Sequence, residues 1–518
     1  MTARQTAAVA TLAGQLGHRE SRDLQAIAHG GGALLFASAF GNGLSYAFGI
    51  FLARTLGTEE FGLYALALTI FNMVTLTVVF GMDIGAIKFI SHHLAEGQQS
   101  RARETLVVAG VLAFGSGLIA AIGLTLLAHP IAVSLYNKPD LVLSLICFAT
   151  AIPLCTLTIV LLSTLQAFQN VSYTIFIKYL WEPIGKFVLA GVALWAGFQF
   201  LGVLLSIVMA FAVSAILSIY AVYRLAMSGS DSFRGWNTGE ARTLLAFCLP
   251  LLISNLVGVV ASRSDILILG YWAEAQEAGI YLAAFQTAAI MALILNAFGT
   301  SLGPIMSRAW SQQDKGRMSD SYQAVSRLSM IVALPIFCCF LLFARDLLMI
   351  FGPEFSRGAP ALMILAAGQV FNTATGSANT VLLMSGHSRL VMTNTVVMGV
   401  VLLAATAFLI PFWGMAGAAI AASITFILTN VIRAFQVWRL HHVQPYTWEL
   451  AKPIAAAATA TGMILLLQSS TLSLPRPVLG LLLGIVYISG MWLLGISRQD
   501  RLVFDLLISR GKGFLEKG

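Results

Sequence analysis

The sequence predicts an all-α integral membrane protein of about 14 transmembrane helices, arranged as two parallel-repeat six-helix lobes plus two C-terminal helices, with both termini cytoplasmic. Three observations carry this expectation. Of the 518 residues, 58% are hydrophobic and only 10% charged, and the mean hydropathy is +0.86; a soluble chain has about 25% charged residues. The apolar segments are about 20 residues long and apolar on all sides, without the period of two that a barrel requires. A local pattern, Gly62-Leu63-Tyr64-Ala65, returns as Gly279-Ile280-Tyr281-Leu282 at an offset of 217.

Taken in order, the expected spans of the first half are 30–52, 63–87, 106–128, 141–164, 174–195 and 200–223. Those of the second half are 244–270, 280–303, 328–344, 360–384, 390–410 and 413–435, followed by 451–468 and 477–496. At about 1.5 Å of rise per residue, runs of this length suit a hydrocarbon core of roughly 30 Å. The domain reading follows: a cytoplasmic N-terminal tail (1–29), an N-lobe (30–225), a cytoplasmic inter-lobe linker (226–243), a C-lobe (244–436), the last two helices (437–497) and a cytoplasmic C-terminal tail (498–518). The first 28 residues are mixed and polar, unlike a cleaved signal peptide. In the C-terminal tail, Leu502 to Ile508 suits either a surface helix or solvent. The longest loops are expected near 88–104, 224–242, 308–327 and 436–450.

Charge sets the expected orientation. With the N-terminus inside, 23 of the 30 Lys and Arg fall on the inner side, and five (Arg54, Lys138, Arg345, Arg357, Arg476) on the outer. Lys178 and Arg433 are counted to the inner side, and the remaining two, Lys186 and Arg263, lie within spans. The positive-inside rule then places both ends in the cytoplasm and requires an even number of spans. The net charge of +8 arises from these scattered residues and is not a nucleic-acid signal.

The repeat extends further. Leu135-Tyr136 before Pro139 matches Ile350-Phe351 before Pro353, and Gln166 to Asn170 matches Met384 to Ser388. Equivalent elements lie six spans apart, an even number, so the two halves share one orientation about an axis along the membrane normal. Two such bundles are expected to enclose a central path and rock against each other, and no re-entrant filter or ring of like charges marks a pore. The last two spans have no counterpart in the repeat.

A few polar residues within the apolar runs stand out. Lys178, Glu182 and Lys186 are spaced by four and share a helix face, with Pro183 expected to kink the helix beside Glu182. Facing lipid, that stripe would cost several kcal/mol, so it turns inward, to line a cavity or to staple two helices. Arg263 and Asp265 lie toward the outer end of their span and either reach the headgroups or, since Ile266 to Leu269 continue the apolar run, stay in the membrane. In the second case Arg263 suits an anionic headgroup or diphosphate, and Asp265 pairs with it or takes a proton. Asp83 sits between Gly81 and Gly85, which permit close helix contact. Lys88 and its counterpart Arg308 are inner-boundary anchors or flank an inward-facing mouth. Asn42 and Asn255 lie near mid-membrane, and Asn296, Asn372, Asn379 and Asn394 add further amides that glue helices or bond ligand hydroxyls.

Enzyme chemistry finds no support. The five cysteines all lie in apolar segments and suggest neither a disulfide framework nor a metal site. No HExxH, GxSxG, Walker or Rossmann pattern falls in a suitable context, so no catalytic residue, cofactor or nucleotide-driven engine is expected.

The stretches Phe61 to Ala67 and Phe80 to Ile90, then Ser264 to Gly270 and Gly279 to Tyr281, resemble bacterial polysaccharide-transport proteins. These are the O-antigen and exopolysaccharide repeat-unit flippases of the multidrug/oligosaccharidyl-lipid/polysaccharide exporter superfamily. The resemblance covers Gly31 to Leu494 through diffuse motifs at correct spacing. It implies a transporter of the bacterial inner membrane that moves a polyprenyl-diphosphate-linked oligosaccharide to the outer leaflet by alternating access, drawing on H+ or Na+ coupling. In that scheme Lys178, Lys186, Arg263, Lys88, Arg308, Asn42 and Asn255 bind substrate, and Glu182, Asp265 and Asp83 couple an ion. The protein would work as a monomer amid membrane lipid; polysaccharide polymerase and chain-length machinery are its candidate partners, and nucleic acid is not one. The alternative is a multidrug or small-cation extrusion antiporter of the same superfamily, which would be expected to have an acidic cavity, whereas the intramembrane charges here lean basic. A peptidoglycan-precursor flippase would carry richly basic first spans, and an O-antigen polymerase or ligase a large outer loop; neither is present.

Overall fold

The computed structural model describes residues 3–168, 170–226, 238–469 and 475–495, with side chains from Phe36 onward except at 226, 250–251, 253–257, 259–262, 297 and 300–301. Among the described residues the chain is helical, without a strand. Nine helices there are long and apolar enough to cross a membrane, so this is a multi-pass membrane protein. Two of the nine are far longer than one crossing needs: Phe36–Ala95 has 60 residues and Ser388–His441 has 54. Each contains a glycine at which helical geometry fails, Gly57 (φ 76°) and Gly414 (φ 51°). Glycine enters positive φ without a Cβ penalty, so the kinks fall there: Gly57 between the expected spans 30–52 and 63–87, and Gly414 at the start of the expected span 413–435.

Several expected boundaries need correction. The span 63–87 is interrupted: one helix ends at Val79, the next begins at Met82, and Phe80 (φ 33°) and Gly81 (φ 80°) lie between them. The span 360–384 splits into Ala359–Ala374 and Ala378–Met384 around Gly376 (φ 59°). Hydropathy averages over many residues and is blind to one or two in a left-handed conformation. The long loops also shrink. Only 96–98 separate Met82–Ala95 from Gln99–His129, and only 312–314 separate Ala275–Ser311 from Lys315–Met349. Polar flanks stay helical where a cap satisfies the first turn; the Arg317 N–H donates to Asp314 Oδ1 at 2.9 Å. The N-terminal tail is helical from Ala3 and continuous with the first span. Linker residues 227–237 and the C-terminal tail, with its 502–508 stretch, lie outside the described residues.

The chain divides into two compact units. The first comprises Met1–Phe48, Val78–Ile122 and Thr150–Leu249; the second, Gly49–Thr77, Gly123–Ala149 and Pro250–Gly518. In the first, Met82, Ala86, Ile90, Ala109, Ala113, Leu165 and Cys248 belong to one buried cluster. In the second, Lys315–Met349 packs against the two C-terminal helices through Leu334, Cys338, Ala457, Ala460 and Tyr487. The Tyr487 hydroxyl donates to the Ile331 carbonyl at 2.8 Å, which ties Arg476–Leu493 to Lys315–Met349. Small residues at these contacts let backbones approach where lipid offers no hydrophobic contrast.

Candidate functional site

In the first unit the stripe of charges lies on the helix 172–195. Its turns Ile175–Trp181 are π-helical, and α-helix resumes at Glu182 with Pro183 at the start. Proline has no N–H to give and crowds the carbonyl four residues back, so the ladder widens into the turn before it. Lys186 Nζ lies 4.0 Å from Glu182 Oε2, with about a fifth of each side chain exposed (21% and 18%). The same ammonium sits 4.2 Å from the Phe211 ring centroid, a cation–π contact. Lys178 is exposed, 6.0 Å from the neighbouring Tyr179 ring. Gly41 brings the first helix against this one, since a Cβ there would lie 2.6 Å from the Tyr179 carbonyl oxygen; Asn42 beside it is exposed.

Asp83 is half-buried in the first turn of Met82–Ala95. The expected close contact at its glycines is present, and the neighbour is the start of Thr238–Trp272: a Cβ on Gly85 would lie 2.8 Å from Cys248 Sγ, and that thiol donates to the Gly81 carbonyl at 3.5 Å. Lys88 is exposed, its ammonium 4.0 Å from the Phe247 ring centroid.

In the second unit Arg263 and Asp265 line one cavity of about 780 Å³. The Arg263 guanidinium lies 5.1 Å from the Phe285 ring centroid. Asp265, only 2% exposed, accepts a 2.6 Å hydrogen bond from the Tyr281 hydroxyl and a 2.9 Å bond from the Ile266 N–H. Tyr281 is the tyrosine of the repeated motif, a partner that sequence spacing alone does not identify. Asn72, Gln369, Asn372, Asn430 and Arg433 add to the polar lining, with Thr395, Thr425 and Thr429. Arg308 is exposed in the last turn of Ala275–Ser311 and does not line this cavity. Asn255 is helical, and its side chain lies outside those described.

Arg433 was counted in the sequence only toward the inner charge balance. Its signal was its spacing: Asn430 and Arg433 stand three apart in a helix, hence on one face of an apolar run. Gln369 carried no comparable mark.

Within the second unit the repeat motif brings two helix starts into close backbone contact. A Cβ on Gly62 would lie 1.8 Å from the Ala275 carbonyl oxygen, and one on Gly279 would lie 2.9 Å from the Gly62 nitrogen. Nearby, Lys138 Nζ donates to the carbonyls of Gly270 (2.8 Å) and Ala273 (2.9 Å), capping the C-terminus of Thr238–Trp272. Burial lowers the pKa of Lys138, and the Glu274 carboxylate opposes the shift. The Thr58 hydroxyl donates to Glu354 Oε2 at 2.7 Å.

Known proteins are similar to this chain in sequence and in fold. A family described as polysaccharide biosynthesis protein matches residues 27–310, and the MatE family matches 250–409. A probable low-salt glycan biosynthesis flippase of Haloferax volcanii is 23% identical over 411 residues, 77% of this chain and 81% of the relative. Among solved structures, the lipid II flippase MurJ in an inward closed conformation superposes with a TM-score of 0.70 at 11% identity, covering 88% of this chain and 97% of that one. An inward-facing multidrug resistance MATE transporter gives a TM-score of 0.66 at 14% identity, covering 78% and 94%. With a family match over more than half its length and this shared fold, the chain belongs to the polysaccharide biosynthesis protein family, within the multidrug/oligosaccharidyl-lipid/polysaccharide exporter superfamily.

Proposed function

We propose that the protein is an alternating-access flippase that carries a polyprenyl-diphosphate-linked oligosaccharide, an O-antigen or exopolysaccharide repeat unit, to the outer leaflet of the bacterial inner membrane. The observation that carries this reading is the cavity lining: two guanidinium groups and four amides surround one carboxylate already hydrogen-bonded to Tyr281. Such a lining suits an anionic, hydroxyl-rich headgroup better than a drug cation. The Haloferax volcanii relative, named as a glycan biosynthesis flippase, supports the same substrate class. Fourteen spans, with both termini cytoplasmic, complete the proposal. Lys178, Lys186 and Arg263 are its proposed headgroup cations, and Lys88 and Arg308, both exposed, its proposed rim cations. Glu182, Asp265 and Asp83 are the groups proposed to couple H+ or Na+.

The test is leaflet exposure of lipid-linked glycan in cells lacking the protein, rescued by wild type, Lys186→Ala or Glu182→Gln. Wild type is expected to restore exposure, and Lys186→Ala to reach the membrane at normal level yet restore less than about a tenth of it, since it removes a proposed headgroup cation from a part-buried pair. The MatE match keeps the antiporter as the competing reading. It takes over if wild type leaves exposure unchanged and instead lowers cellular accumulation of cationic compounds.

A further inference from the structure

The second unit contains another cavity, of about 770 Å³, lined among others by Asn296, Ser377, Asn379 and Thr380. Asn372, Asn430 and Arg433 line both this cavity and the one that holds Arg263, so they form a shared wall. Each chamber has the size of a small-molecule site, about 300–1,000 Å³.

The wall is partly satisfied, and what it leaves over is specific. Asn430 Nδ2 donates to Asn372 Oδ1 at 3.0 Å and to the Phe426 carbonyl at 2.9 Å, which uses both its hydrogens. Asn372 Nδ2 donates to Gln369 Oε1 at 3.1 Å. Among the described residues this leaves Asn430 Oδ1 as an acceptor, and Gln369 Nε2 and the second Asn372 N–H as donors. Arg433 Nε and Asn379 Oδ1 are buried with no partner among the described residues. Polar groups left unpaired inside a membrane protein cost free energy until a ligand meets them.

The second chamber lies at the break between Ala359–Ala374 and Ala378–Met384, and the break is held open by packing. Gly376, at φ 59°, sits so close to Ser326 that a Cβ would lie 2.1 Å from its Oγ. The Tyr322 hydroxyl donates to the Thr375 carbonyl at 2.7 Å. The amides thus project from a fixed frame.

We infer that Arg433 and the Asn372–Asn430 pair form the junction of a two-chamber subsite, where the guanidinium holds a phosphate oxygen and the amides hydrogen-bond hydroxyls of the first sugar. This rests on the flippase reading and deepens it by assigning residues to the two chemical parts of the headgroup. A guanidinium presents its N–H groups as a fork that fits phosphate oxygens. A carboxamide both donates and accepts, as a sugar hydroxyl does. Arg263 supplies a second cation in the first chamber, beside the Asp265 carboxylate that Tyr281 holds.

The experiment measures binding to the purified full-length protein in nanodiscs with three probes: a polyprenyl diphosphate, the same lipid carrying one N-acetylglucosamine, and tetraphenylphosphonium. Arg433→Gln is expected to weaken both lipid probes by roughly tenfold. The double variant Asn372→Leu/Asn430→Leu is expected to weaken only the sugar-bearing probe, by about the same factor. Should Arg433→Gln fail to fold, Arg433→Lys carries the test, because it keeps the charge, loses the fork and still weakens both lipid probes several-fold. If wild type binds both lipids and the arginine variants do not weaken them, or the amide variant weakens both equally, the assignment is overturned while the flippase reading stands. If wild type binds tetraphenylphosphonium and neither lipid, the flippase reading falls and the assignment with it.

Discussion

Asp265 is 2% exposed and takes its shortest hydrogen bond, 2.6 Å, from a tyrosine 16 positions away. Its counterpart motif tyrosine, Tyr64, has no equivalent role: its ring packs 5.8 Å from Phe61 and 6.0 Å from Phe148, centroid to centroid. The repeat makes the two tyrosines look alike, and packing gives them different work. Tyr281→Phe should therefore destabilise the protein by about 1–2 kcal/mol, the cost of leaving a buried acceptor short of its donor. Tyr64→Phe should cost clearly less. Thermal denaturation of the two variants in detergent checks this, and equal losses would remove the special role given to Tyr281. Pro183 was legible at this scale, because a missing N–H has a local consequence, and the π-helical turn appears just before it. Arg433 carried only its spacing from Asn430, and its place in the lining of two cavities depends on residues from other helices.

At the scale of elements, Gly62 and Gly279 mark the repeat in the sequence and bring two helix starts into backbone contact in the structure. A methyl group on Gly62 has nowhere to go, and the Ala275 carbonyl it would strike is backbone that cannot rotate away. Gly62→Ala is expected to cost about 1–3 kcal/mol by overpacking and to reduce glycan exposure in the leaflet assay. Gly43→Ala, in open space within 4 Å, should leave stability and exposure close to wild type and serves as the control. A Gly62→Ala protein of unchanged stability and activity would show that this contact is dispensable. The left-handed turns at Phe80–Gly81 and Gly376 escaped the sequence for a related reason: glycine is abundant in membrane helices, and only the neighbouring backbone decides which one breaks.

At the scale of the molecule, the charge bias of 23 to five predicts that both ends of the chain face the cytoplasm. Reporter fusions at residue 1 and residue 518 should both read cytoplasmic, while a cysteine placed at Arg476 should react with an impermeant thiol reagent added outside. Opposite sides for the two fusions would mean an odd number of crossings and would overturn the expected fourteen spans.

Membrane residence, helical class, the repeat and the family follow from the sequence, because each depends on composition, length or spacing along the chain. Lipid enforces this directly: a run of about 20 apolar residues has one stable backbone state, whatever its neighbours. Which polar side chains meet one another was decided only by tertiary structure. The Tyr281–Asp265 and Asn430–Asn372 bonds join residues 16 and 58 positions apart, and the wall shared by two cavities draws on separate helices. Helix rotation and tilt set those meetings, and both come from small-residue packing between helices that local hydropathy does not encode.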